Sequence, residues 1–166
     1  MKTVRLSILS ILALTAASVA QHASKHMLSA EELKKAIPAE FFFQGQKAPV
    51  QLRNAVGFQL ADSKMTLAAL VDASGYATSV QQKYQGMLIT ENKLSIGGSE
   101  LAPGEYGFGF TADGKFVVMD VAGSSVLDTD FQTDHEFKHP VPLKLVQEGD
   151  GYRLYAGRKW VSIKLP

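Results

Sequence analysis

The chain has 166 residues, with 17 lysines and arginines against 16 aspartates and glutamates, so its net charge at pH 7 is +1. A nearly neutral protein has no strong field to attract a polyanion, which argues against nucleic acid as the partner. The absence of cysteine excludes disulfide bonds, a thiol nucleophile and lipid attachment through an N-terminal cysteine.

The first twenty residues have the pattern of a secretory signal peptide. Basic residues precede an apolar run over residues 6–14, and small residues at 18–20 provide a cleavage site before Gln21. The run is too short for a transmembrane helix, so we expect no stable membrane span once the leader has been removed. A secretory leader on a chain that has no cysteine predicts a bacterial secreted or periplasmic protein. Its stability must then come from the hydrophobic core.

After the leader, we expect a flexible N-terminus over residues 21–28 and one β-rich domain over residues 29–166. The domain begins with a capping box, in which Ser29 and Glu32 exchange side-chain and backbone hydrogen bonds, and this predicts a helix over residues 30–37. The aromatic residues 41–43 are predicted to be extended, with both faces of the segment buried.

The sequence YGFGF at residues 106–110 predicts the first strand of a central hairpin, because aromatic residues alternate there with glycines. Asp113-Gly114 suits a two-residue turn with positive φ at both positions. In that register Phe108 pairs with Met119 on an apolar face that should cover a core. The glycines lie on the opposite face, where they would let a ring or another stretch of backbone approach closely.

Three further hairpins are predicted, each with a two-residue turn and an apolar face. Their turns are Asp62-Ser63, Gly149-Asp150 and Gly157-Arg158. The first pairs Phe58 with Leu67, the second Leu145 with Leu154, and the third Leu154 with Val161. Together the hairpins predict an all-β fold, an antiparallel β-sandwich or partly closed barrel of about nine to eleven short strands with one short N-terminal helix.

Alternation along the last two strands predicts a ligand-binding strip. If Leu154 and Val161 face the core, their neighbours must face away from it. The residues on that outer side are Arg153, Tyr155, Trp160 and Lys164. Aromatic faces suit sugar rings and cations suit acidic groups, so we expect a partly exposed strip that binds a glycan or another component of the cell envelope. The alternative is that another element of the fold covers this face.

A polar connection at residues 73–85 interrupts the strand pattern. It contains Tyr76 and Tyr84, and Val80 one turn before Tyr84 predicts a helical turn. Long connections in small domains often carry function, so both tyrosines are predicted to contribute to ligand binding. The same connection would equally serve as a crossover between two halves of the sheet.

Residues 135–139 match the zinc-protease pattern H-E-x-x-H, which needs His135 and His139 on consecutive turns of a helix and Glu136 beside the metal-bound water. Pro140 would end a helix at His139, so we expect a solvated turn that holds no metal. Neither a phosphate-binding loop nor a dinucleotide-binding pattern occurs, so no cofactor is expected.

The leading hypothesis from the sequence is a non-catalytic secreted or periplasmic binding or accessory domain. A small metal-dependent hydrolase that uses His135, Glu136 and His139 is the alternative from a different class. A structural protein of the envelope is the third hypothesis. Catalysis has no positive support in the sequence, because no nucleophile motif occurs beside that single match.

Overall fold

A computed structural model describes residues 25–165, which form two antiparallel β-sheets packed face to face. In this range the sheets do not close into a barrel, so the predicted sandwich is confirmed. The predicted leader and the first four residues after it lie outside the described residues.

The described residues contain fourteen strands, more than predicted because several strands are only two or three residues long. In chain order the elements are β1 (His26–Met27), α1 (Ala30–Ala36), β2 (Glu40–Phe43), β3 (Gln46–Gln59), β4 (Met65–Val71), α2 (Thr78–Gln81), β5 (Gly86–Thr90), β6 (Leu94–Ile96), β7 (Ser99–Leu101), β8 (Gly104–Phe110), β9 (Lys115–Asp120), β10 (Ser125–Asp130), β11 (Gln132–Thr133), β12 (Lys144–Glu148), β13 (Gly151–Ala156) and β14 (Lys159–Lys164).

The molecule has three layers. The first sheet has the strand order β1-β3-β4-β5-β8-β9-β10, with β2 also paired to β3, and the second has the order β12-β13-β14-β6-β7, with β11 also paired to β14. The main core lies between the sheets, where Phe108 of β8 and Leu154 of β13 are fully buried. A second apolar cluster lies on the outer face of the first sheet, under an outer layer made of α1, the hairpin that β2 forms with residues 46–49 of β3, and the connection between β4 and β5.

The capping box at the start of α1 forms as predicted. Ser29 Oγ accepts a hydrogen bond from the Glu32 amide, and the Glu32 carboxylate accepts one from the Ser29 amide at 2.8 Å. Leu33 is buried and joins the apolar cluster on the first sheet. The short helix is therefore stabilised by its cap and by docking.

The chain immediately before α1 pairs with the first sheet. His26 and Met27 pair with the end of β3, and the Leu28 amide donates to the Gly57 carbonyl at 3.0 Å. Residues 26–28, which the sequence assigns to a flexible segment over residues 21–28, thus lie at the edge of the first sheet.

The central hairpin forms between β8 and β9, but its register is one residue away from the predicted one. Phe108 pairs with Val118 rather than with Met119. The Thr111 amide donates to the Lys115 carbonyl at 2.8 Å, so three residues form the loop instead of two. The slip turns Met119 to the outer face of the first sheet, where it joins the second apolar cluster.

The β3–β4 hairpin differs from its prediction in the same way. The Leu60 amide donates to the Lys64 carbonyl at 3.0 Å, so this loop also has three residues. Ser63 has φ 68°, the left-handed conformation that ends such a loop. Phe58 consequently pairs with Thr66, one residue from the predicted partner.

The glycines of β8 allow the close approach that the sequence predicts. A Cβ atom added to Gly107 would lie 2.7 Å from the Phe43 ring. A Cβ atom added to Gly109 would lie 2.7 Å from the carbonyl carbon of Lys83 and closer still to its oxygen. The outer layer therefore rests directly on the backbone of β8.

The aromatic run of β2 is buried on one face only. Phe41 and Phe43 are buried against the first sheet, whereas Phe42 is 57% exposed. The prediction that both faces are buried is wrong, because β2 belongs to the outer layer and its other face meets solvent.

Candidate functional site

The two C-terminal hairpins fold in the predicted registers. Leu145 pairs with Leu154, and Leu154 pairs with Val161, so these residues face the core between the sheets. The alternate residues of β13 and β14 form the outer face of the second sheet, where Tyr155 pairs with Trp160. Period-two alternation therefore located this face correctly.

Five side chains form a continuous row on this outer face, which we call the aromatic row. Its members, in order of contact, are Arg153, Trp160, Tyr155, Phe137 and Lys144. The Arg153 guanidinium carbon lies 4.0 Å from the centre of the Trp160 ring. The Trp160 and Tyr155 ring centres are 6.2 Å apart, and Tyr155 stacks on Phe137 at 4.7 Å. Lys144 Nζ lies 5.1 Å from the Phe137 ring centre, so each end of the row carries a cation.

Arg153 is held on two sides. Besides its contact with Trp160, its Nε atom lies 2.5 Å from the Glu148 carboxylate. The neighbouring Tyr155 hydroxyl and the Glu148 carboxylate raise the pKa of Arg153 above its ordinary value, although burial opposes them. Its side chain is still 29% exposed, so a cation of fixed orientation meets solvent at this end of the row.

The rings of the aromatic row differ in exposure. Trp160 and Phe137 are half-buried. For Trp160 this agrees with the partial exposure that the sequence predicts. Tyr155 is also predicted to be partly exposed, but it is buried because Phe137 lies across its ring. The Tyr155 hydroxyl donates a hydrogen bond to Asp134 Oδ2 at 3.3 Å. A ligand would therefore touch Trp160 and Phe137, with Tyr155 as the support between them.

The aromatic row is not identical to the predicted strip. Lys164 lies at the other end of β14, beside Ser95 of β6, where it is exposed and outside the row. Sequence reasoning missed Lys144, the first residue of β12, and Phe137. Phe137 lies in the irregular segment between β11 and β12, where its only signal is that it is an apolar residue within a run of charged and polar ones.

The tyrosines of the β4–β5 connection do not join this face. Tyr84 is fully buried and stacks on Phe43 with ring centres 4.0 Å apart, and burial raises its pKa. The Tyr76 hydroxyl lies 3.0 Å from the main-chain carbonyls of Phe43 and Gln46, either of which can accept its single proton. The predicted helical turn is present as α2. Both tyrosines are buried and pack the outer layer onto the first sheet, and their role as ligand contacts stays a prediction.

The H-E-x-x-H match lies in a turn followed by a bend. His135 and Glu136 form the turn, in which the Glu136 amide donates to Asp134 Oδ1 at 3.1 Å. His139 lies beyond it in irregular chain before Pro140. The two imidazoles are therefore not presented on consecutive helical turns, as zinc-protease chemistry requires. Within residues 25–165, no three histidine, aspartate or glutamate side chains are grouped so that they could hold a metal ion.

A groove of about 890 Å³ lies over the outer face of β9 and β10. Val117 and Met119 contribute apolar surface to it. Lysines and aspartates both line the groove, and Lys115 is paired with Asp130 at 2.7 Å. Its mixed charge gives the groove no preference for a ligand of one sign.

Comparisons with known proteins assign no function to these surfaces. No protein-family model, curated protein or solved structure matches the chain. No helix in the part of the chain that the structure describes is long and apolar enough to cross a membrane. A functional proposal must therefore start from the chemistry of the aromatic row.

Proposed function

We propose that the protein is a non-catalytic binding domain, secreted or periplasmic, that binds a glycan of the cell envelope through the aromatic row. The observation that carries the proposal is the continuity of the row, in which the half-buried rings of Trp160 and Phe137 lie between the cations of Arg153 and Lys144. Tyr155 connects the two rings from beneath.

The row suits a sugar polymer for two physical reasons. Aromatic faces offer apolar area to the C–H groups of a sugar ring, while nearby polar groups bind its hydroxyls. The side chains are also held before binding, because the Tyr155 hydroxyl donates a hydrogen bond to Asp134 and Arg153 forms an ion pair with Glu148. Binding would then cost little side-chain entropy. Since the surface is open, we expect weak binding per sugar that is strengthened along a repeating polymer.

Two other functions predict different results. A metal-dependent hydrolase would need a metal ion at His135 and His139, so stoichiometric zinc in the purified protein would favour it over the binding domain. A structural envelope protein would show no change at Trp160 when a glycan is added.

Affinity electrophoresis tests the proposal, with gels that contain soluble peptidoglycan fragments, a β-glucan or polygalacturonate. The parent protein should migrate more slowly in at least one of these gels. Trp160→Ala and Phe137→Ala should each abolish the delay, because each removes a ring that the ligand would touch. Phe42→Ala is the matched control, since Phe42 is an exposed aromatic residue on β2, outside the row.

Circular dichroism and thermal melting establish that each variant is folded before its migration is compared. The proposal is refuted if none of the polysaccharides delays the parent protein. It is also refuted if folded Trp160→Ala and Phe137→Ala proteins are delayed as much as Phe42→Ala.

A further inference from the structure

Charge is distributed unevenly along the chain, and the aromatic row lies in its positive part. Residues 131–166 carry six lysines and arginines against four aspartates and glutamates, a net charge of +2. Residues 25–130 carry nine against twelve, a net charge of −3. The second sheet takes β11 to β14 from the positive part, and Arg153 and Lys144 present cations on its outer face.

Arg153 has the geometry to recognise a carboxylate. A guanidinium presents five N–H donors in a rigid plane. The Trp160 ring and the Glu148 carboxylate fix that plane, and the contact with Glu148 is made at Nε. Because Nε faces Glu148, the terminal nitrogens present the donors with which a ligand carboxylate can pair.

A second cation lies at the opposite end of the row. Lys144 is exposed, and its Nζ atom stands over the Phe137 ring. Aromatic rings therefore separate two cations on one face. This arrangement fits a polymer whose acidic groups recur along a chain of rings better than it fits an isolated anion.

Resting on the proposed function, we infer that the glycan is acidic, a polymer of uronic-acid units. Its carboxylates pair with Arg153 and Lys144, while its sugar rings pack on Trp160 and Phe137. Arg153 is the residue that distinguishes an acidic polymer from a neutral one, because its orientation is fixed by Trp160 and Glu148. Lys144 adds charge without a fixed hydrogen-bonding geometry.

Polygalacturonate and the same polymer with its carboxyl groups methyl-esterified are matched probes, because esterification removes the charge and keeps the sugar backbone. Titration calorimetry at low salt should show about tenfold tighter binding of the acidic polymer by the parent protein. The difference should shrink as salt is added. Arg153→Gln should remove the preference, and Arg153→Lys should lose most of it, since lysine keeps the charge but lacks the planar fork.

Arg158→Gln is the control, because Arg158 is an exposed arginine in the β13–β14 turn and its replacement removes the same charge. This variant should keep the preference for the acidic polymer. Equal binding of the two polymers by the parent protein overturns the inference and leaves glycan binding in place. Equal loss of preference in Arg153→Gln and Arg158→Gln also overturns it, because net charge would then suffice. Binding of neither polymer overturns it too, whereas the proposed function falls only if the other polysaccharides also fail.

Discussion

Replacing Gly109 with alanine tests the three-layer architecture at the point where the outer layer touches the first sheet. The added Cβ atom would lie 2.7 Å from the carbonyl carbon of Lys83, which is main chain and cannot rotate away as a side chain would. The β4–β5 connection must therefore move. That movement would also strain the two hydrogen bonds of the Gln85 side chain. Gln85 accepts from the Phe110 amide at 2.9 Å and donates to the Phe110 carbonyl at 3.1 Å.

The expected magnitude follows from these contacts. Overpacking against a fixed neighbour costs about 1–3 kcal/mol. Each hydrogen bond between Gln85 and Phe110 contributes about 1 kcal/mol, and the displaced connection would weaken at least one of them. Gly109→Ala should therefore lower the free energy of unfolding by about 2–4 kcal/mol.

Urea unfolding followed by Trp160 fluorescence measures this change, and Gly75→Ala is the matched control. Gly75 lies in the same connection, but an added Cβ atom would have no neighbour within 4 Å, and its φ is not in the left-handed region. Gly75→Ala should be neutral or stabilise the protein by up to about 1 kcal/mol. If Gly109→Ala unfolds at the same urea concentration as Gly75→Ala, the connection does not cross β8 as described.

Three further changes probe the core, the central turn and the helix cap. Phe108→Ala removes a fully buried ring and should cost about 3–5 kcal/mol in urea unfolding, so an unchanged midpoint would remove Phe108 from the core. Gly114→Val should lower the melting temperature, since a β-branched residue resists the φ of 89° found there. Hydrogen bonds from Ser29 lower the pKa of Glu32 from 4.5 to about 2, so the stability from this group is complete above pH 4.5 and is lost as the pH falls towards 2. Glu32→Gln should reduce the dependence of the melting temperature on pH in that window, and an unchanged dependence would contradict the cap.

The strand registers show where the sequence pattern alone was sufficient to predict the structure. The C-terminal hairpins were predicted correctly, because one face of β13 and β14 is apolar and the other is mixed. The central hairpin was shifted by one residue because Asp113-Gly114 fits both a two-residue turn and a three-residue loop that ends in a left-handed glycine. Alternation could not correct the shift, since both faces of β9 are apolar.

Both faces of the first sheet are apolar because a third layer covers it. Phe43 and Tyr84 pack on its outer face, so the strands beneath them need apolar residues on both sides. Local patterns do not reveal this layer, because it is made by residues distant in sequence. Gly107 and Gly109 were the local signal of this layer. They predicted that another part of the chain approaches β8 closely, but not that Phe43 and Lys83 are the residues that do so.

The residues of the candidate site that lie on regular strands could be predicted from the sequence, and the others could not. Arg153 and Trp160 followed from strand alternation alone. Phe137 reaches Tyr155 from an irregular segment, where no periodicity fixes the direction of a side chain. The burial of Tyr155, and with it the shape of the aromatic row, therefore required the tertiary structure.

Quenching of Trp160 fluorescence tests the aromatic row most directly, because Trp160 is the only tryptophan in the chain. In the folded protein, iodide should quench it efficiently and caesium less so, since the cation of Arg153 lies over the ring. Saturating polygalacturonate should protect Trp160 from iodide. A blue-shifted emission that neither quencher reaches, or polymer binding that leaves iodide quenching unchanged, would contradict the proposal that this face binds the ligand.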